Sequence, residues 1–441
     1  MCGIFGVYKV SNAARWIYTG LHGLQHRAVD YAGIVSSDGH HLFRKTGAGT
    51  VRQVFTKKVL AQLLGTSAIG HIRYPTVSDK PEYDNTQPIG GYWQGMEFAL
   101  AHNGNLTNAD ELRTAFDLSC TTKMDSEVIV RMLEISKGDD FTRALVSVLR
   151  ELQGSFSLVI LLPDQLIAVR DPQGNRPLSI GSAGGTSLVS SETCPFPNLD
   201  ARYLRDIEAG TIVTIDERGT CTTRYAEPKL RQCRFEAIYF SHPSSVVFGD
   251  NVANFRMSVG RELERLFPVE GGADIVTPIP DSAMFVAMGY GESRRSGAYY
   301  PVIMRSHYVG RTFIAATQEM REEEVDQKFT FSAADIADKR VVVLDDSIVR
   351  GTTLRNVIAR LRSLGARAVH VRVGAPPITH PCRYGINTRT ERELLSSTLK
   401  PEGIRKHVAA DSLEFLPLEV LKRMSGNPDS FCWSCMTGEY W

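Results

Sequence analysis

The chain has 441 residues and a formal net charge of +1; hydrophobic residues make up 43% of it and charged residues 22%. This balance excludes a strong general attraction to nucleic acid or to a membrane surface, so any anionic ligand must be held by a local site. At roughly 100–200 residues per domain, the length is sufficient for two domains.

No apolar run reaches the length of a membrane span, and the N-terminus lacks the basic and apolar regions of a signal peptide. We therefore expect a cytoplasmic protein with neither membrane nor nucleic-acid partners. In that reducing compartment the eight cysteines are expected to be thiols, metal ligands or a nucleophile rather than disulfides.

The first half of the chain is predicted to be rich in β-strands. Apolar runs separated by turn residues predict two hairpins, formed by 156–162 with 166–170 and by 211–215 with 221–225. Helical periodicity runs through 125–136 and 141–152. Together these elements predict a layered α+β domain.

The second half alternates strands and helices. Residues 340–344 form a strand pattern, a helix pattern ends near Leu364 before Gly365, and a further strand is expected over 368–373. This order predicts a βαβ unit with a parallel sheet, to which the apolar run 273–280 also belongs. We place the domain boundary near Glu227 and Pro228, which gives predicted domains at residues 1–228 and 229–441.

Cys2 follows the initiator methionine and precedes Gly3. Removal of Met1 would leave a free α-amino group beside the thiol, and an amine with a pKa of roughly 7.7–8.0 can act as a base near neutral pH. Position alone favours the simpler interpretation, in which Cys2 is a small buried residue at the start of a strand.

Further motifs change that balance. They resemble those of the N-terminal-nucleophile (Ntn) glutamine amidotransferases, and they lie at 24–27, 70–76, 101–108 and 125–127. The resemblance covers about 230 residues, the size of one domain. It implies an αββα Ntn hydrolase fold in which Cys2 attacks the side-chain amide of glutamine.

The resemblance also implies a role for each matching residue. The oxyanion that forms during attack needs preorganised donors, and these are the side chain of Asn103 and the backbone N–H of Gly104. The α-carboxylate and α-ammonium of glutamine are bound by Arg73, Thr76 and Asp125. Taken singly, Arg73 could form a structural ion pair, Asn103–Gly104 a turn, and Asp125 a helix cap.

The segment Val341–Thr353 combines an apolar strand, two acids and the start of a helix. Two carboxylates, Asp345 and Asp346, can accept hydrogen bonds from ribose hydroxyls, and helix N-terminal amides suit a phosphate. The segment resembles the phosphoribosyl-diphosphate (PRPP) loop of type I phosphoribosyltransferases. A plain strand-to-helix turn is the alternative, and the spacing of a Walker nucleotide loop is absent.

The resemblance implies a PRPP site made of Asp345, Asp346, Ser347, Arg350, Gly351, Thr352, Thr353 and Lys328. Magnesium would be held at Asp345 and Asp346 through PRPP. Segments 170–178, 278–282 and 308–314 narrow the match to the PRPP amidotransferase family, in which Tyr308–Lys328 forms a loop over PRPP. A solvated loop lysine is the alternative reading of Lys328.

Cysteines at 432 and 435 form a Cys-x-x-Cys motif, which alone fits zinc, redox chemistry or coincidence. The resemblance extends to one branch of the family, in which Cys233, Cys382, Cys432 and Cys435 bind an iron–sulfur cluster. Four thiolates suit a [4Fe–4S] cluster or zinc, and four unrelated buried thiols remain possible. Cys120, Cys194 and Cys221 are expected to be ordinary buried residues.

The family resemblance implies an enzyme that hydrolyses glutamine and uses the ammonia to displace diphosphate from PRPP, giving 5-phosphoribosylamine at the start of purine synthesis. It also implies nucleotide effectors and a homo-oligomer. The chain departs from the family pattern at Ala28–Val29, His242, Arg305–His307 and Asp326. Two alternatives follow: a paralogue that aminates another phosphosugar, and a non-catalytic regulator that binds PRPP or nucleotide.

Overall fold

The computed structural model describes residues 1–73, 86–293, 295–306, 328–388 and 390–441. Thr76, His307 and Asp326, and most of the predicted loop Tyr308–Lys328, lie outside these ranges. In the first half the strands are β1 (Gly3–Val7), β2 (Tyr31–Ser37), β3 (Leu42–Ala48), β4 (Ser67–Arg73), β5 (Ile89–Trp93), β6 (Met96–Leu106), β7 (Gly154–Leu161), β8 (Leu166–Arg170), β9 (Ser179–Ala183), β10 (Thr186–Ser190), β11 (Arg202–Asp206), β12 (Thr211–Asp216) and β13 (Gly219–Arg224).

These strands form two sheets that pack face to face. One has the order β11-β9-β10-β1-β4-β2-β3 and the other the order β13-β12-β8-β7-β6-β5. Alternating side chains such as Ile4, Ala101 and Val159 fill the layer between them. Both predicted hairpins are confirmed, because β7 pairs with β8 and β12 with β13 in antiparallel register.

Helices cover the outer faces of both sheets. They are α1 (Ala13–Gly23), α2 (Val51–Val54), α3 (Lys57–Leu60), α4 (Ala109–Ala115), α5 (Asp125–Ile135) and α6 (Phe141–Glu151). The apolar face of α1 packs on the first sheet, and those of α5 and α6 pack on the second. The predicted helices are confirmed, and the layer order is helix, sheet, sheet, helix, as the αββα prediction required.

The second half has the strands β14 (Gln232–Cys233), β15 (Val246–Val247), β16 (Asp250–Asn251), β17 (Ile275–Pro278), β18 (Ala298–Tyr299), β19 (Ile303–Arg305), β20 (Phe329–Phe331), β21 (Arg340–Asp345), β22 (Ala368–Val373), β23 (Ser412–Phe415) and β24 (Phe431–Cys432). Its helices are a π-helix (Glu236–Phe240), α7 (Val252–Leu266), α8 (Met284–Gly291), α9 (Ala333–Ile336), α10 (Thr352–Ser363), α11 (Leu395–Thr398), α12 (Pro401–Val408), α13 (Leu418–Met424) and α14 (Ser434–Thr437).

A five-stranded sheet of order β18-β17-β21-β22-β23 forms the core of this half, and its neighbouring strands run parallel. The βαβ prediction is confirmed in β21, α10 and β22. Both faces of the sheet are buried by apolar clusters, which explains the nearly continuous apolar sequence of β21. Asp345 and Asp346 therefore lie at the carboxyl end of β21, on one edge of the parallel sheet.

The two halves are joined by hydrogen bonds as well as by the chain. Backbone amides of Lys229, Arg231 and Cys233 donate to carbonyls of the loop 172–175. The division at 228/229 remains a prediction. Among the described residues, no helix combines the length and the apolar character needed to cross a membrane.

Candidate functional site

Cys2 lies directly before β1, at the centre of the first sheet. Its residue is 8% exposed and Met1 is 2% exposed. Arg27 donates from Nε to the Cys2 carbonyl oxygen at 2.7 Å. The nucleophile predicted from sequence is therefore attached to a rigid strand, and its backbone is fixed by a buried guanidinium.

The N-terminal amine, which the structure carries on Met1, is in a buried charged environment. Burial is the main cause that lowers its pKa to about 5. Arg27 and Arg176 lower that pKa further, whereas Cys2 and Glu236 raise it. With this lowered pKa, the Met1 amine is neutral near physiological pH.

The predicted oxyanion donors lie on β6. Asn103 is 1% exposed, and within the described part of the chain its Nδ2 has no hydrogen-bond partner. A buried amide without a partner is costly unless a ligand uses it, so Nδ2 is available for a developing negative charge. At Gly104, a Cβ atom would lie 2.0 Å from the Ser155 carbonyl oxygen, so only glycine fits this close strand contact.

The predicted substrate clamp comes from two other elements. Arg73 ends β4 and is 4% exposed. Asp125 occupies the first position of α5, after Met124 at the cap, and its Oδ2 accepts from the Leu106 amide at 2.9 Å. The helix-cap alternative for Asp125 is thereby excluded, while the carboxylate is held next to the strand that carries Asn103. Thr76 lies outside the described residues.

Asp345 and Asp346 stand at the carboxyl end of β21, as predicted. Asp346 is buried and accepts hydrogen bonds from Ser282 and from Ser347 Oγ, the latter at 2.7 Å. Burial raises the pKa of both carboxyls, and for Asp345 the neighbouring Asp346 raises it further. Arg256 lowers the pKa of Asp346, but burial outweighs this effect. A cationic or hydroxyl-bearing ligand would relieve the remaining cost of two adjacent buried acids.

The loop after these acids leads into α10. Gly351 precedes the helix with a φ of 74°, and Thr352 and Thr353 are exposed in its first turn. Exposed amides at a helix N-terminus suit a phosphate. Arg350 points elsewhere, since it forms an ion pair with Glu393.

Lys328 directly precedes β20, which pairs with β19 in antiparallel register. Its carbonyl accepts from the Ser306 amide at 2.8 Å. On the partner strand, Arg305 forms an ion pair with Asp281 at 2.6 Å, next to Ser282, which contacts Asp346. The end of the predicted loop Tyr308–Lys328 therefore lies at the same edge of the sheet as the two acids.

The four predicted cysteine ligands converge. Cys233 and Cys432 are register partners in the parallel pair β14–β24. A small cavity is lined by Cys233, Cys382, Cys432 and Cys435. Burial raises the pKa of Cys233 to about 12, and it also raises the pKa of Cys432 and Cys435. The Tyr384 amide donates to Cys382 Sγ at 3.3 Å, a contact that stabilises a thiolate.

A buried ionic network, which no sequence motif predicted, lies between the N-terminus and this cavity. Arg27 pairs with Glu192 and Glu236, and Arg176 pairs with Glu236. All four side chains have 0% exposure. Arg27 and Arg176 lie within the family-like segments 24–27 and 170–178. Their carboxylate partners, however, are 60 to 209 residues away in the sequence.

Glu192 also belongs to a second group of potential metal ligands. Donor atoms of His26, Glu192 and Cys194 lie within 4.8 Å of one another. Both carboxylate oxygens of Glu192 already accept other hydrogen bonds, from Arg27 on one side and from Ser245 on the other. The expected burial of Cys221 is wrong: it is exposed on the edge strand β13, where every side chain faces solvent.

Comparison with known proteins covers both halves of the chain. The family model described as a glutamine amidotransferase domain matches residues 76–197. The chain is 40% identical to the amidophosphoribosyltransferase of Methanocaldococcus jannaschii, covering 100% of this chain and 97% of the relative. It is likewise 40% identical to that of Bacillus subtilis, covering 94% of the relative, and to a chloroplastic enzyme of Glycine max, covering 78%.

Solved structures agree with these relatives. The glutamine PRPP amidotransferase from B. subtilis, complexed with ADP and GMP, superposes with a TM-score of 0.93 at 38% identity, covering 100% of this chain and 97% of that one. A structure described as the allosteric regulatory enzyme of purine biosynthesis gives a TM-score of 0.94 at 38% identity, with 96% of its chain covered. The similarity therefore spans both sheets of the first half and the parallel sheet of the second.

Proposed function

From the premise that the chain belongs to the amidophosphoribosyltransferase family, we propose how its residues carry out the reaction. The protein is a glutamine-dependent amidotransferase of purine synthesis that forms 5-phosphoribosylamine from PRPP. The observation that carries this conclusion is the full-length match of one chain that holds both an N-terminal cysteine and the acids Asp345 and Asp346. A paralogue with another phosphosugar and a non-catalytic regulator are not favoured, because the relatives share enzyme names and this chain retains Arg73, Asn103 and Asp125.

In the glutamine half-reaction, the α-amine of Cys2 accepts the thiol proton after Met1 is removed. The sulfur attacks the side-chain amide carbon, and the oxyanion receives hydrogen bonds from Asn103 Nδ2 and the Gly104 amide. Ammonia leaves with the proton from the amine, and water hydrolyses the thioester to glutamate. Arg73 binds the substrate carboxylate and Asp125 its ammonium. Thr76 is proposed as a further contact from the sequence alone.

In the second half-reaction, Asp345 and Asp346 accept hydrogen bonds from the ribose hydroxyls of PRPP. The 5-phosphate lies at the N-terminus of α10, against Ser347, Gly351, Thr352 and Thr353. Arg350 reaches the ligand only if it leaves Glu393. Bound Mg²⁺ would neutralise charge on the departing diphosphate, and the raised pKa values of the two acids fit a site that a cation completes.

Lys328 is proposed to contact PRPP near the reacting carbon. Its support is the position of the paired strands β19 and β20, whose Arg305 meets Asp281 beside the acidic pair. Ammonia attacks C1 of the ribose and diphosphate leaves. This displacement consumes the ammonia released at Cys2.

A structural [4Fe–4S] cluster is proposed for Cys233, Cys382, Cys432 and Cys435. The donor set fits, since four cysteines line one small cavity and an amide donates to Cys382. The same four thiolates suit zinc, and an absorption spectrum of protein purified without oxygen distinguishes the two metals. A cluster gives visible absorption and zinc gives none.

Three further properties follow as proposals. The B. subtilis relative was solved with ADP and GMP, so purine nucleotides are proposed as effectors here. Assembly as a homo-oligomer and a cytoplasmic location are proposed from the family and from the sequence. Sedimentation with and without GMP tests the first two properties together.

The central test uses protein purified anaerobically with glutamine, Mg²⁺ and PRPP. We expect glutamate formation that depends on PRPP, and a panel of other phosphosugars that gives none. Cys2→Ser is expected to abolish glutamate formation while the protein still makes phosphoribosylamine from free ammonia. The proposal is overturned if no PRPP-dependent glutamate appears, or if Cys2→Ser keeps its glutaminase activity.

A further inference from the structure

We propose that Glu236 is a positioning residue for the glutamine half-reaction, although it lies in the second half of the chain. Its carboxylate holds Arg27 against the carbonyl of Cys2. This inference rests on the proposed role of Cys2 as the nucleophile. Nothing in the motifs of the glutamine site pointed to a residue so distant in sequence.

The contact between Glu236 and Arg27 is bidentate. Arg27 Nη1 donates to Oε2 at 3.0 Å and Nη2 donates to Oε1 at 2.9 Å. Two parallel bonds fix the plane of the guanidinium as well as its position. The third nitrogen, Nε, donates to the Cys2 carbonyl at 2.7 Å, so the orientation of Arg27 sets the orientation of the residue that carries the sulfur.

Glu236 is itself fixed from the opposite side. Ser241 Oγ donates to its Oε2 at 3.0 Å, and Arg176 Nη1 approaches its Oε1 at 3.3 Å. Arg176 Nε donates in turn to the Tyr384 carbonyl at 3.0 Å, beside the cavity of the four cysteines. Glu236 begins the π-helix, a rare element that is frequent at functional sites.

The network is insulated from water. Four side chains of the network are 0% exposed: Arg27, Arg176, Glu192 and Glu236. Their two guanidinium groups and two carboxylates balance in charge. Burial would raise the pKa of Glu236, but Arg27 and Arg176 outweigh it and the net pKa is lowered, despite the nearby Glu192. Solvent cannot replace an ion lost from such a site.

The charge of Glu236 also acts on the catalytic base. In the structure the N-terminal amine belongs to Met1, and the groups that act on it are Cys2, Arg27, Arg176 and Glu236, with His71 nearby. Removal of Met1 places the new amine on Cys2, the residue whose carbonyl Arg27 contacts, so Glu236 acts on that amine as well. Glu236 favours the protonated amine, so removal of its negative charge should lower the pKa of the amine. The acid limb of kcat/KM for glutamine should therefore move to lower pH, a shift that general loosening of the fold would not produce.

Glu236→Gln tests the inference, with Glu264→Gln as the matched control. Glu264 is also buried in the second half and accepts from Arg295 at 2.9 Å, away from Arg27. For Glu236→Gln we expect kcat for glutamine hydrolysis to fall about tenfold or more, because small misplacement of a nucleophile is costly. KM for glutamine and ammonia-dependent synthesis should change little, and the acid limb should move to lower pH.

Each outcome decides a separate point. If Glu236→Gln matches Glu264→Gln in kcat and pH profile, Glu236 has no positioning role. If Glu236→Gln does not fold, Ser241→Ala keeps the charge but frees the carboxylate, and it should lower kcat about threefold; an unchanged kcat overturns the proposal. Retained glutaminase in Cys2→Ser would instead refute the nucleophile itself, whatever Glu236 does.

Discussion

The unpartnered amide of Asn103 gives a prediction for a single residue. Asn103→Ala should lower kcat for glutamine hydrolysis by about 10²–10³-fold, because a donor to the oxyanion is lost. Ammonia-dependent synthesis should be unchanged, since the acceptor site is built from other elements. Thermal unfolding should show little loss of stability, because Nδ2 has no partner within the described chain. A parallel loss of both activities would contradict this role.

Asp345 gives a prediction about stability and pH. Its folded-state pKa is raised by burial and by Asp346, so its ionised form destabilises the ligand-free protein. That penalty is absent below the ordinary Asp pKa of about 3.9 and grows as pH rises through the folded value. Asp345→Asn should therefore raise Tm relative to the parent protein at pH 7, and less so in acid, while PRPP turnover is lost. Calorimetry at several pH values measures the difference; an equal or lower Tm at pH 7 would argue against the strained acid pair.

At the scale of single residues, the sequence predicted the positions that depend on short sequence patterns rather than on long-range pairing. Cys2, Asp345 and Asp346 lie on the elements expected of them, whereas neither the strand that carries Asn103 nor the pairing of Arg350 with Glu393 was predicted. The exposure of Cys221 was not predicted either. The sequence pattern of a strand does not show whether that strand lies at the edge of a sheet with both faces exposed to solvent.

At the scale of elements, the turn into α10 depends on Gly351. Its φ of 74° is left-handed, and a Cβ atom would lie 2.6 Å from Leu395. Gly351→Ala should raise KM for PRPP and cost about 1–2 kcal/mol of stability for the strained backbone alone. Gly426→Ala is the control, because its φ is 72° and nothing lies within 4 Å. Equal KM values in the two variants would show that the loop geometry does not matter for PRPP.

The regular helices and strands were predicted well because their hydrophobic periodicity can be detected within short stretches of sequence. The hairpins of the first half and the unit β21–α10–β22 follow from apolar spacing and turn residues. The π-helix at Glu236–Phe240 was not predicted, since its form follows from contacts with Arg256 and Arg27 rather than from local propensity.

At the scale of the whole molecule, the four-cysteine site ties the C-terminal segment to the start of the second half. The double variant Cys432→Ser with Cys435→Ser should lose bound metal and lower Tm, because metal binding to ligands on β14 and β24 adds to the stability of the folded state. Cys221→Ser, on the exposed strand β13, is the control and should change neither quantity. Metal analysis and calorimetry on the same samples check this, and full metal content in the double variant would exclude the site.

Contacts that join the two halves could not be predicted from local sequence patterns. The carboxylate of Glu236 accepts hydrogen bonds from Arg27 and Arg176. The carbonyl of Tyr384 accepts hydrogen bonds from Arg176 and Ser155. The partners are too far apart in sequence for a local pattern to predict these contacts. Both halves were predicted as separate folds, and only the structure reveals that buried charges link them.

The central position of β1 has a consequence for the timing of biosynthesis. This strand of Gly3–Val7 pairs with β4 and with β10, which ends at Ser190. At roughly 5–20 residues per second, about 10–40 seconds separate synthesis of the first strand from that of its last partner. Met1 is inaccessible once the sheet closes, at 2% exposure. The proposed role of Cys2 as the nucleophile therefore requires that an aminopeptidase remove Met1 during synthesis, before the sheet closes over it.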